Sequence, residues 1–162
     1  AKYVQNTGDR NFKYIIVGDG LEKEKLKELV KKNGLENEIV FTGAIPHARV
    51  KEYLNIADVF ISLYDGSNVG NPLLEAIRTH KIIFTLNNGD TASWISHQKN
   101  GFIFDITENL LEDIAIELNK LLSGEYDRNS ILKEIEKTEQ TKLWTWEERM
   151  NAEVKAVEAL IV

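Results

Sequence analysis

Val59-Phe60-Ile61-Ser62-Leu63 is followed, three residues later, by Ser67-Asn68-Val69-Gly70-Asn71-Pro72-Leu73-Leu74-Glu75-Ala76. The first stretch is a short apolar run that reads as a buried strand. The second is a loop of small and amide residues leading into a helix, with Asn71 and Pro72 suited to the N-cap and the first helical position. Such a junction can hold an anion, because free backbone N–H groups and the positive end of the helix dipole point into the crevice there. Glu75, one turn into the helix, adds a carboxylate able to accept hydrogen bonds from vicinal hydroxyls. Together these suit a nucleotide diphosphate and its ribose.

The same strand–turn–helix pattern recurs on either side. Lys13 to Val17 is a short apolar run closed by Gly18-Asp19-Gly20, and Leu21 to Lys32 then carries leucines and a valine at helical spacing among charges. Ile39-Val40-Phe41 reads as a second strand with Thr42-Gly43 as its turn. Pro46 opens a helix to about Ala57, with Val50, Tyr53 and Leu54 on its inner face. After the helix from Pro72 to about Thr79 come a strand at Ile82-Ile83-Phe84, a turn at Asn87-Asn88-Gly89-Asp90 and a last strand at Gly101 to Phe104. Leu110 to Leu122 reads as a helix, Tyr126 to Gln140 as a charged segment, and Thr145 to Val162 as the final helix. This alternation predicts an α/β fold: a Rossmann-like parallel sheet with helices on both faces, whose ligands bind beyond the carboxyl ends of the strands. Every glycine-bearing loop named above lies on that edge.

Composition narrows the function. The chain has 162 residues, 43% of them hydrophobic, enough for one domain with a full core. It has no cysteine, which excludes disulfides and thiolate metal sites, and its three histidines have no zinc-like spacing. A metal-independent, cytoplasmic protein fits this composition. The net charge of −6 argues against broad nucleic-acid binding, so a phosphate would be held by local dipoles. No apolar run reaches membrane-spanning length, and the N-terminus carries no signal peptide. Ala1 to Asn11 reads like the end of a helix and a turn, so a fragment of a longer protein is expected.

Taken in order, these segments resemble the C-terminal, donor-binding half of retaining glycosyltransferases of the GT-B fold, family four (glycosyl transferases group 1). IIVGDGLEKEKLKELVKKNGLENEIVFTG, residues 15–43, is similar to that family's strand, G-x-G turn, helix and second strand. YLNIADVFISL (53–63), GNPLLEAI (70–77), Asn88-Gly89, NGFIFD (100–105) and Thr145-Trp146-Glu147-Glu148 continue the likeness in sequence order. The resemblance implies one nucleotide-sugar-binding domain over 1–162, with its C-terminal helix at 145–162, from a two-domain hexosyltransferase-type enzyme. The implied partners are a nucleoside diphosphate sugar as donor substrate and, through a missing N-terminal domain, an acceptor glycan, lipid or small molecule. Neither metal nor organic cofactor is implied, and neither nucleic acid nor a membrane span.

By the same likeness Glu75 binds the ribose hydroxyls. Ser67, Asn68, Val69, Gly70 and Asn71 meet the diphosphate and donor sugar, Gly43, Ala44 and Ile45 hold the base through backbone bonds, and Gly18 approaches a sugar phosphate. The family pairs two glutamates separated by seven residues; Glu75 is the second, but Ser67 stands where the first is usual. A serine cannot carry that charge. The family's phosphate-binding Arg and Lys belong upstream of the segment at Lys13, so this piece alone is expected to bind donor without turnover, and no residue is assigned a catalytic role.

Competing readings are weaker. Lys23 occupies the third glycine position of a dinucleotide fingerprint, which counts against NAD. A receiver-like signalling domain would use Asp65 and Thr85, but Asp105 stands where it needs a lysine. A nucleotide-sugar epimerase needs further acidic and histidine residues that have no place here. A degenerate GT-B domain kept for interaction is favoured by Ser67. His47, His80 and His97 read as surface or capping residues, Trp94, Trp144 and Trp146 as packing anchors, and Asn87 to Asp90 as either a tight turn or a contact to the donor sugar.

Overall fold

The computed structural model describes residues 12–66 and 69–160. Its elements run β1 (Tyr14–Val17), α1 (Lys23–Lys32), β2 (Ile39–Gly43), a 3-10 turn (His47–Arg49) with α2 (Val50–Ile56), β3 (Val59–Ser62), α3 (Asn71–Arg78), β4 (Ile82–Leu86), a second 3-10 turn (Thr91–Ser93), β5 (Phe102–Phe104), α4 (Leu110–Ser123), α5 (Arg128–Lys142) and α6 (Trp146–Glu158). All strand pairs are parallel. The expected α/β alternation is therefore the observed one. The sheet, however, is divided: β1 pairs with β2, and β3-β4-β5 form a second ladder, with no pairing between the two sets among the described residues.

β4 is the centre of the larger ladder and is buried along its whole length. Such a strand reads as a continuous apolar run because both faces are covered. Phe84 stacks on Phe102 with centroids 4.4 Å apart and on Phe104 at 5.8 Å. Burying each such side chain contributes about 1.5–3 kcal/mol. Helices α3 and α5 pack on β4 and on each other, and α4 packs on β5.

Three expectations need correction. Tyr126 to Gln140, read as a charged segment, is mostly the helix α5. Ile131, Ile135 and Thr138 fall on one buried stripe of it, and Asp127 caps its start by accepting from the N–H groups of Asn129 and Ser130 at 3.0 and 3.3 Å. That i, i+4, i+7 spacing was masked by the surrounding charge. The second correction concerns the tryptophans: Trp94 packs against the core, but Trp144 and Trp146 are 56% and 73% exposed, so neither is a packing anchor. Finally, α3 begins one residue early, with Gly70 in extended conformation as its N-cap and Asn71 and Pro72 as its first two residues. No side chain caps it.

Candidate functional site

The carboxyl ends of β3 and β4 open into a crevice of about 260 Å³. Ser62 and Thr85 line its strand side, Val69, Gly70, Pro72 and Leu73 come from the start of α3, and Asn88 and Thr91 come from the loop after β4. Both strands are apolar up to this hydroxyl residue, which stands last in β3 and next to last in β4. Carboxyl ends of parallel strands are where ligands of open α/β sheets bind.

The loop into α3 is clasped from across the crevice. Asp90 Oδ1 accepts from the Val69 N–H at 3.1 Å, and Asn88 Nδ2 donates to the Tyr64 carbonyl at 2.9 Å. The Gly70 carbonyl accepts from Leu73 and Leu74, and Pro72 has no N–H to give. The N–H groups of Gly70 and Asn71 donate to no acceptor among the described residues, so two adjacent donors sit at the positive end of the α3 dipole. The Val69 N–H, by contrast, is engaged by Asp90. Ser67 and Asn68 lie outside the described residues.

Glu75 projects from the second turn of α3 beside buried Ala76 and Ile77 and is itself partly exposed. Its Oε1 lies 2.9 Å from Nε2 of His47, the first residue of the 3-10 turn after β2. A contact across 28 positions carries no sequence signal, and the surface role expected of His47 omitted it. The other two histidines serve structure. His97 packs edge-on against Phe102 and Phe104 with Nδ1 at 2.9 Å from the Ile103 carbonyl, and His80 sits at φ 52 just past the end of α3.

Gly18 and Gly43 meet each other: the Gly18 N–H donates to the Gly43 carbonyl at 3.1 Å, closing the end of the β1–β2 pair. Their φ values of 137° and 70° are ones that residues with a Cβ rarely adopt. Beside them, Asp19 accepts from Lys23 Nζ at 2.8 Å and from the Gly20 N–H at 2.9 Å, which holds its carboxyl below the usual range. The nearby Ala44 backbone also favours the charged carboxylate, as the smallest contribution. Gly18, Gly43, Ala44 and Ile45 do not line the crevice. Glu75 does not line it either, so the predicted site residues that are described fall into three groups: Val69, Gly70 and Asn71 at the crevice wall and the start of α3, Glu75 one helical turn away beside His47, and Gly18, Gly43, Ala44 and Ile45 at the end of the β1–β2 pair.

No group of three or more His, Asp or Glu side chains that could hold a metal ion occurs among the described residues. No described helix is long and apolar enough to cross a membrane.

This architecture has known counterparts. The pneumococcal O-GlcNAc transferase GtfA, solved with UDP and GlcNAc, superposes over 99% of this chain and 31% of its own with a TM-score of 0.78 at 16% identity. The C-terminal domain of the group 1 glycosyl transferase LpcC from Francisella tularensis superposes over 86% of this chain and 74% of its own (TM-score 0.73, 21% identity). In sequence, the 2-deoxystreptamine N-acetyl-D-glucosaminyltransferase of Niallia circulans is 30% identical over 115 residues, 71% of this chain. The chain spans 29% of that relative's length. A family model described as glycosyl transferases group 1 matches residues 1–138. The chain belongs to the group 1 glycosyl transferase family.

Proposed function

We propose that this domain holds the nucleoside diphosphate of a sugar donor and that the protein it serves transfers the sugar to an acceptor with retention of anomeric configuration. The observation that carries this reading is the pair of unpartnered N–H groups at Gly70 and Asn71 among the described residues, with the Glu75 carboxylate one turn along the same helix. A diphosphate at the two amides would gain both hydrogen bonds and the α3 dipole, and the ribose would reach Glu75. In transfer, negative charge grows on the leaving diphosphate. Donors fixed in advance stabilise that charge more than they stabilise the bound ground state. Glu75, away from the reacting bond, contributes by positioning. This reading calls on neither metal nor organic cofactor. The pneumococcal neighbour, solved with UDP and GlcNAc, makes UDP the first nucleotide to try.

The acceptor, whether glycan, lipid or small molecule, would be presented by a separate N-terminal domain, in a protein working at the cytoplasmic pool of nucleotide sugars. Equilibrium dialysis against UDP, GDP and ADP tests the reading: one of the three should be retained saturably and displaced by its own sugar conjugate. Retention of none contradicts it. Ser67 supports a second reading, a degenerate domain kept for protein interaction. Ser67→Glu without any gain in affinity for the sugar conjugate would favour that one.

A further inference from the structure

Glu75 and His47 come from different elements, and the functional meaning of their contact rests on the reading of Glu75 as the ribose acid. The His47 side chain is 84% exposed, whereas that of Glu75 is 30% exposed. Packing does not hold the imidazole in place. Among the described residues its one hydrogen-bond partner is Glu75 Oε1, at 2.9 Å. Exposed pairs of this kind add little to stability. A carboxylate on a helix flank otherwise samples several staggered rotamers, and a ligand that needs one of them must fix it on binding.

A carboxylate offers about four lone-pair sites, and His47 occupies one of them. Oε2 accepts no hydrogen bond from the described residues, so both of its lone pairs and one on Oε1 remain for a ligand. A vicinal diol needs two acceptors and finds them already oriented. His47 also opens the segment that closely follows Gly43-Ala44-Ile45, so the pair ties the loop after β2 to α3.

We propose that His47 is a positioning residue for ribose recognition: it fixes the Glu75 carboxylate so that the site reads both ribose hydroxyls of the nucleotide. It touches no reacting atom and acts through Glu75.

Affinities of UDP and 2′,3′-dideoxy-UDP for the native chain, His47→Ala, His47→Gln, Glu75→Ala and the double variant test this. His47→Ala should weaken UDP about three- to tenfold and leave dideoxy-UDP unchanged. His47→Gln, whose amide can donate to the same oxygen, should restore most of the loss. In the Glu75→Ala background, removing His47 should have no further effect. An equal loss for both nucleotides would assign His47 a general structural role and overturn the proposal, as would unchanged UDP affinity in His47→Ala while Glu75→Ala weakens it. If the native chain binds UDP but Glu75→Ala does not weaken it, the ribose assignment fails. If native protein binds no nucleotide, the donor-site reading fails, and the proposal with it.

Discussion

The backbone N–H of Val69 donates to Asp90 Oδ1 across the crevice, which places a carboxylate beside the two amides that would receive a diphosphate. A carboxylate and a phosphate at about 4 Å repel by roughly 1 kcal/mol even at the dielectric of water. Asp90→Asn keeps an acceptor for Val69 and removes the charge, so it should tighten nucleotide binding by about that amount, read by titration at low salt. Glycine at 70 and glutamate at 75 stood out in the sequence as candidates because local chemistry marks them: a strand-to-helix junction and a carboxylate among core residues. Asp90 was legible only as part of the Asn87 to Asp90 turn, weighed as a contact to the donor sugar, and Thr85 only for a receiver-like domain; Thr91 and His47 were not legible as site residues. They reach the crevice or Glu75 only through tertiary proximity, across 21 positions for Asp90 and Val69 and 28 for His47 and Glu75.

At the scale of elements, α4 and the connection between α4 and α5 are joined to the loop before β5 by a polar network. Tyr126 donates to Glu117 Oε2, Lys120 donates to Oε1 at 2.9 Å, and Gln98 donates to the Tyr126 oxygen at 2.9 Å. Burial works against the Glu117 anion, but the hydrogen bonds from Tyr126, Lys120 and Gln98 outweigh it and hold its pKa below the usual value. Burial first, and Glu117 second, push the Tyr126 phenol up to about 12. Because the Glu117 pKa is lower folded than unfolded, its stabilisation is whole above the ordinary carboxylate pKa of about 4.3 and is lost as pH falls through the folded value. Glu117→Gln should therefore flatten the acid limb of the melting temperature against pH. Tyr126→Phe removes a bond to a charged group and should cost about 1.5–3 kcal/mol in denaturant unfolding. Asp127→Ala, which uncaps α5, should cost about 1 kcal/mol in the same experiment. The helix itself escaped the sequence reading because its buried stripe is only Ile131, Ile135 and Thr138 amid charge. The capping box of α6, with Thr145 and Glu148 bonding each other's backbone N–H, was where the motif put a helix start.

Over the whole molecule, the buried core cluster draws on α2 to α5 and β4 to β5 and, among the described residues, includes none before Leu54. β1 and β2 form a ladder of their own, and β1 makes no ladder with β3 among the described residues. Alternating apolar runs announced the order of elements and their parallel direction. They could not announce which strands pair, because pairing depends on long-range docking rather than on local pattern. Stability should be divided accordingly: in native-state hydrogen exchange, amides of β4 should be at least about tenfold more protected than those of β1 and β2. Equal protection would mean that the two ladders open together. The proposed donor site spans both parts, since His47 follows β2 and Glu75 lies on α3. Calorimetric titration of the native chain and Glu75→Ala with the nucleoside diphosphate that binds decides whether α3 holds the donor. Saturable binding weakened by about 1–3 kcal/mol in the variant, the cost of a lost charged hydrogen bond, is the expected result. Identical binding by the two proteins would contradict it.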